Sequence, residues 1–160
     1  MAVVLGFSHV GIHVTELGRS IGFYERLGLE RVARWTKDER YSRNLVGYPQ
    51  ATLEVAVMAV PGSAVVLELI ECRGVPRTAV DPATANPGTA HLCLRVDDLD
   101  ALYEHLLAAG VEFVSEVQTP TAGPNAGGRV VYLLDPDQIR VELLQTSRQM
   151  TGAPLTASAS

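Results

Sequence analysis

The sequence has no uninterrupted apolar run approaching the roughly 20 residues that a membrane-spanning helix requires, and its first residues lack the basic, apolar and small-residue succession of a secretory signal. Neither a membrane nor an export route is implied, and the cytoplasm is the expected location. Basic residues are in deficit: 13 Lys and Arg stand against 18 Asp and Glu, a formal net charge of -5. That balance gives no attraction to nucleic acid or to an anionic membrane surface, so the expected partner is a small molecule. Cysteine is scarce as well. Cys72 and Cys93 show neither CxxC spacing nor the density of a disulfide scaffold. They read as reduced, small core residues with no base beside them.

What the sequence does contain is a core. With 47% hydrophobic and 19% charged residues, the 160 positions suffice for one compact domain or for two small halves sharing a core. We expect a single domain over residues 1–146. Residues 147–160 mix small and polar types without an apolar period and read as a flexible tail.

Laying His9 over His91 sets FSHVGIHVTELGRSIGFYERLGLERVAR above TAHLCLRVDDLDALYEHLLAAGVEFVSE without a gap. Val14 then meets Val96, Leu17 meets Leu99, and Gly28 meets Gly110. In both copies strict alternation gives way to helical spacing at the same point, with Leu17, Ile21 and Tyr24 matched by Leu99, Leu102 and Leu106. Thr15 and Asp97 or Asp98 suit the helix N-caps, and Gly28 and Gly110 suit the left-handed residue that ends each helix. A strand follows each helix, around 29–35 and 111–117. Each half closes with two apolar strands joined by a turn, Pro61-Gly62 in the first and Asp135-Pro136-Asp137 in the second. The expected class is therefore α+β, two tandem βαβββ modules at about 5–72 and 89–146. Residues 73–88 have no period and form the linker, and the Gly- and Pro-rich stretch 118–128 is a loop.

Alternation also sorts the polar residues. Val10, Ile12 and Val14 share the helix-packed face of the first strand, whereas His9, Gly11 and His13 share the other. His91 repeats this arrangement. Glu68 in LELIE and Glu142 in VELLQ likewise leave the helix-covered face, and a carboxylate flanked by aliphatics is costly to bury without a cationic partner. One strand His or Glu is more often a core residue bonded to backbone, but four at equivalent places in two repeats point to a shared divalent ion. His9, Glu68, His91 and Glu142 are the candidate ligands.

Arranged this way, SHVGIHV with RSIGFYERLGLE, VLELIE, GTAHLCLRV with DDLDALYEHLLAAGVEF, and YLLDPDQIRVELLQ resemble the vicinal oxygen chelate superfamily over about residues 5–146. That superfamily includes glyoxalase I, methylmalonyl-CoA epimerase, extradiol dioxygenases and bleomycin- and fosfomycin-resistance proteins. The resemblance implies curved mixed sheets around one divalent ion (Zn, Ni, Co, Mn or Fe), a substrate offering adjacent oxygens to it, and a twofold homodimer. It also implies catalytic roles for Glu142 and Glu68. Ring-cleaving dioxygenases generally use His, His and Glu, so a ligand at Glu68 favours the glyoxalase and epimerase branch, a lyase or isomerase working through an enediolate. The alternatives are an Fe(II) extradiol-type dioxygenase and a non-catalytic drug- or metabolite-binding resistance protein. Where glyoxalase I carries arginines for glutathione, this chain has His13 and Pro87. The catalytic glutamate of the epimerase falls near Gln50 or Ala51, with Glu54 close by.

Among lesser candidates, His13 and Arg95 sit at mirrored places on the ligand face and read as substrate contacts or as surface residues. Trp35, Tyr41 and Tyr48 are expected to fill core rather than wall a pocket. His105 is expected to be exposed.

Overall fold

The computed structural model describes residues 2–37 and 39–147. The chain divides into two compact units, Met1–Val80 and Asp81–Ser160. The proposed tail, apart from Ser147, lies outside the described residues. Among those that are described, no helix is long and apolar enough to cross a membrane.

The first unit runs β1 (His9–Val14), α1 (Leu17–Arg26), β2 (Glu30–Lys37), α2 (Glu39–Val46), β3 (Thr52–Ala59) and β4 (Val66–Arg73). Its mixed sheet has the order β1-β4-β3-β2, with β1 parallel to β4 and the other pairs antiparallel. The alternation expected in β1 is present. Ile12 and Val14 are buried while His9, Gly11 and His13 are exposed. The same face of the sheet carries Ala56, Met58, Leu67 and Leu69, all buried, and α1 packs against it through Leu17, Ile21, Phe23 and Tyr24. Burying each such side chain contributes about 1.5–3 kcal/mol, which outweighs the propensity of a ten-residue helix with two internal glycines. Its N-cap differs from expectation: Glu16, not Thr15, accepts the N–H groups of Gly18 and Arg19, at 2.8 Å each. Gly28 ends the helix at φ 86°, the left-handed conformation expected of it.

Helix α2 was not anticipated, because its length of eight residues is too short for a clear apolar period. It lies against β3 on the face opposite α1, where Val46 and Cys72 pack on Leu53, Val55 and Ile70. Trp35, Tyr41 and Tyr48 are exposed rather than core residues.

The second unit runs β5 (Leu92–Arg95), α3 (Leu99–Ala108), β6 (Arg129–Leu134) and β7 (Arg140–Gln145), in a sheet of order β5-β7-β6. Asp98 caps α3 by accepting the N–H of Ala101, and Gly110 follows the helix at φ 77°. Leu99 and Leu106 are fully buried, as are Leu133, Val141 and Leu143. The strand expected at 111–117 is reduced to two isolated bridges, Phe113 with Leu133 and Gln118 with Val130. Between those bridges the 113–118 segment contains more residues than the facing 130–133 segment, so the excess bulges out and breaks the ladder. Both sheets are mixed and the class is α+β, as the repeat indicated.

Candidate metal centre

In each unit a parallel strand pair brings one histidine and one glutamate together. Register on β1 and β4 places Gly11 beside Glu68, and on β5 and β7 it places Cys93 beside Glu142. Gly11 and Cys93 are equivalent in the repeat, and each lies two residues after its histidine. In the first unit His9 Nε2 lies 3.9 Å from Glu68 Oε2; in the second, His91 Nε2 lies 3.0 Å from Glu142 Oε2. Both histidines are about half exposed at the side chain, 50% and 42%, whereas the glutamates are only 13% and 14% exposed. Each pair thus combines a sheltered carboxylate with an imidazole open to solvent.

Metal–donor bonds of about 2.1 Å meeting at tetrahedral or right angles set two donors about 3.0–3.4 Å apart. The His91–Glu142 pair already has that spacing, and the His9–Glu68 pair, at 3.9 Å, is about half an ångström wider. Imidazole nitrogen with carboxylate oxygen is a donor set for borderline and hard divalent ions. Each pair, taken within its own unit, therefore offers a nitrogen and an oxygen donor that suit such an ion. Among the described residues, no set of three or more His, Cys, Asp or Glu side chains is arranged to hold a metal ion.

The surroundings of the two pairs differ. Lys37 at the end of β2 places Nζ 3.6 Å from Glu68 Oε1, and its ammonium sits 5.7 Å from the Tyr41 ring centroid. Glu142 is instead met by the neutral Tyr132, whose hydroxyl donates to Oε2 at 3.2 Å and lies 3.4 Å from His91 Nε2. The Tyr132 and His91 rings meet edge-on, with centroids 5.3 Å apart and an interplanar angle of 81°. Desolvation, then the charge of Glu142, pushes the Cys93 thiol up to about 11. The same two causes, with the hydrogen bond to Glu142, raise Tyr132 above the ordinary phenol value. Both groups stay protonated at neutral pH and face the carboxylate as donors.

Cys93 is thus an exposed residue beside Glu142, not the core residue without a neighbouring base that the sequence suggested. Cys72 does pack in the small cluster under α2. His13 and Arg95 are exposed on β1 and β5, opposite Ile70 and Leu144. Glu54 pairs across the sheet with Glu71 and accepts Thr36 Oγ1 at 2.7 Å, which puts it on the sheet face away from Glu68. Ala51 is fully buried just before β3. Two residues at the pairs were missed by the sequence reading. Tyr132 was legible in principle, since the Asp135–Asp137 turn sets β6 and β7 in a register that pairs Tyr132 with Glu142. Lys37 gave no such signal, because it reaches Glu68 from two strands away.

The family model described as the Glyoxalase/Bleomycin resistance protein/Dioxygenase superfamily matches residues 6–143. The chain belongs to that superfamily. A 2-epi-5-epi-valiolone epimerase from Actinomyces is 31% identical over 151 residues, covering 91% of this chain and 80% of that protein. A lactoylglutathione lyase from Haemophilus influenzae is 29% identical over 150 residues, covering 90% of this chain and 95% of that protein. Among solved structures, a glyoxalase family protein from Bacillus cereus superposes with a TM-score of 0.75 at 25% identity, over 91% of this chain and 96% of that one. The superfamily's relatives of this chain thus include proteins named as an epimerase and a lyase.

Proposed function

We propose that this chain is a divalent-metal-dependent enzyme of the glyoxalase and epimerase branch, which moves a proton on the carbon beside a carbonyl of a small substrate through an enediolate. The observation that carries this reading is the repetition of one His–Glu pair at equivalent register positions of two parallel strand pairs. His9, Glu68, His91 and Glu142 would hold one ion, so that the two modules act as one catalytic domain within a homodimer. When bound, that ion supplies Lewis acidity to a carbonyl and its neighbouring oxygen, which makes the carbon between them acidic. Glu142 or Glu68 takes the proton, and a proton returns on the opposite face of the same carbon or at an adjacent carbon. Tyr132 and Cys93 keep the region of Glu142 furnished with donors that do not compete as bases.

Of the two named relatives, the epimerase suits the residues better. His13 and Pro87 stand where glyoxalase I carries its glutathione arginines, so neither position offers a guanidinium to fork onto a glutathione carboxylate. We therefore propose an α-hydroxy ketone as substrate and epimerisation as the outcome. The test is to incubate protein purified without chelator with 2-epi-5-epi-valiolone and simpler α-hydroxy ketones in deuterated water, following the carbon beside the carbonyl by NMR. Deuterium gain with metal bound is the expected result. Metal-loaded protein that exchanges no such proton would overturn the reading, and oxygen uptake with a catechol would replace it with ring cleavage.

A further inference from the structure

The two His–Glu pairs occupy equivalent register positions, yet their spacing differs, 3.9 Å in the first unit and 3.0 Å in the second. The residue facing each glutamate across its antiparallel neighbour also differs. Val57 on β3 faces Glu68, and Tyr132 on β6 faces Glu142. Valine offers no polar atom, so Glu68 is free to turn toward Lys37. Tyr132 offers one hydroxyl within reach of both members of its pair, and its ring abuts His91 edge-on.

We infer that Tyr132 is a positioning residue that clamps Glu142 against His91, so that this half of the metal site is preorganised while the His9–Glu68 half adjusts. The hydroxyl occupies one lone pair of Glu142 Oε2. That restricts the carboxylate to a single orientation and leaves Oε1 and the remaining lone pair of Oε2 available. Restriction of this kind by an outer hydrogen bond is the ordinary means by which a protein fixes the geometry of a metal-binding side chain. The inference rests on the proposed metal site for its functional consequence, although the clamp itself is a property of the second unit alone.

Tyr132→Phe is the variant of choice, because it keeps the ring and its contact with His91 and removes only the hydroxyl. In the metal-free crystal structure of the variant, Glu142 is expected to rotate away from His91. Calorimetric titration with Co²⁺ is expected to show affinity weakened by roughly 10–100-fold, the usual consequence of losing an outer-sphere partner. Circular dichroism should meanwhile report an unchanged fold. A Glu142 that keeps its place beside His91 in the metal-free variant would overturn the clamp. Unchanged Co²⁺ affinity with a fall in turnover would overturn it too, since Tyr132 would then act on the substrate instead. If the native protein takes up no Co²⁺, the proposed metal site fails, and the position of Glu142 in the two metal-free structures still decides whether Tyr132 holds it.

Discussion

Glu71 Oε2 accepts the backbone N–H of Leu17 at 3.0 Å, tying β4 to the first turn of α1 across 54 positions of sequence. The same carboxylate receives Arg73 Nε at 2.7 Å and Nη2 at 3.1 Å in a forked pair. Strand β4 therefore carries Glu68 on the face opposite α1 and, three residues on, a buried carboxylate that fixes the helix to its other face.

That arrangement makes stability depend on pH in a predictable sense. The Arg73 hydrogen bonds, with help from the Leu17 N–H and against the cost of burial, hold Glu71 below its ordinary value of 4.5. A depressed carboxylate contributes stability above its unfolded value and loses it as pH falls through the folded one. Glu71→Gln should therefore lower stability by about 1–3 kcal/mol at neutral pH. The gap between variant and native chain should close as urea midpoints are followed downward from pH 4.5. A gap that stays constant down to the acid transition would show that the charge contributes nothing.

Much of this organisation was legible in advance. Alternation around His9 and His91 separated helix-facing from open residues, because one-sided burial leaves a period of two in the sequence. Three of the four proposed ligands, His9, Glu68 and Glu142, lie on strands as that period indicated, and His91 immediately precedes β5. The 111–117 strand misled because its residue types fit a strand while its ladder is broken by extra residues, and a bulge leaves no compositional trace. Lys37 escaped notice for a related reason. A long side chain crossing two strands follows no period, so only the sheet order shows that it meets Glu68. The Thr15 cap failed because Glu16, one residue on, has the reach to accept two N–H groups.

The turn between β6 and β7 offers a second prediction. Asp135 Oδ1 accepts the N–H groups of Asp137 and Ile139, at 2.8 Å each, and Gln138 is held at φ 67°. A side chain in that left-handed region costs about 1 kcal/mol, and glycine is free of this penalty. Gln138→Gly should raise stability by about 0.5–1 kcal/mol and Gln138→Val should lower it by about 1–2 kcal/mol. Thermal melts of the two variants should therefore move in opposite directions. Equal shifts would mean that this turn carries no backbone strain.

Stoichiometry provides the third. If His9, Glu68, His91 and Glu142 serve one ion, elemental analysis of protein prepared without chelator should give about one divalent ion per chain. His9→Ala and His91→Ala should each lose most of it, because each removes a nitrogen donor from a set of four. Retention of the full complement in both variants would place the ion elsewhere.

The last prediction assigns the proton. Both candidate carboxylates are sheltered, but Lys37 stands 3.6 Å from Glu68, and an ammonium at that distance is a ready partner for the charged form. Among the described residues Glu142 has no ammonium beside it: it meets His91 Nε2 at 3.0 Å and the Tyr132 hydroxyl at 3.2 Å, with Cys93 across the strands. A base must be free to turn toward the substrate proton, and Glu142 has no lysine ion pair to break before it does so. Glu142→Gln preserves size and one donor oxygen while removing basicity, so turnover should fall by roughly 10²–10⁴-fold even when the ion is supplied in excess. Glu68→Gln should act mainly by weakening metal binding, with turnover recovering when the ion is supplied in excess. Solvent deuterium exchange at the carbon beside the carbonyl separates the two directly. It should nearly vanish in Glu142→Gln even with metal saturating, and persist in Glu68→Gln under the same conditions. The reverse pattern would move the base to Glu68 and leave Glu142 as a ligand held by Tyr132.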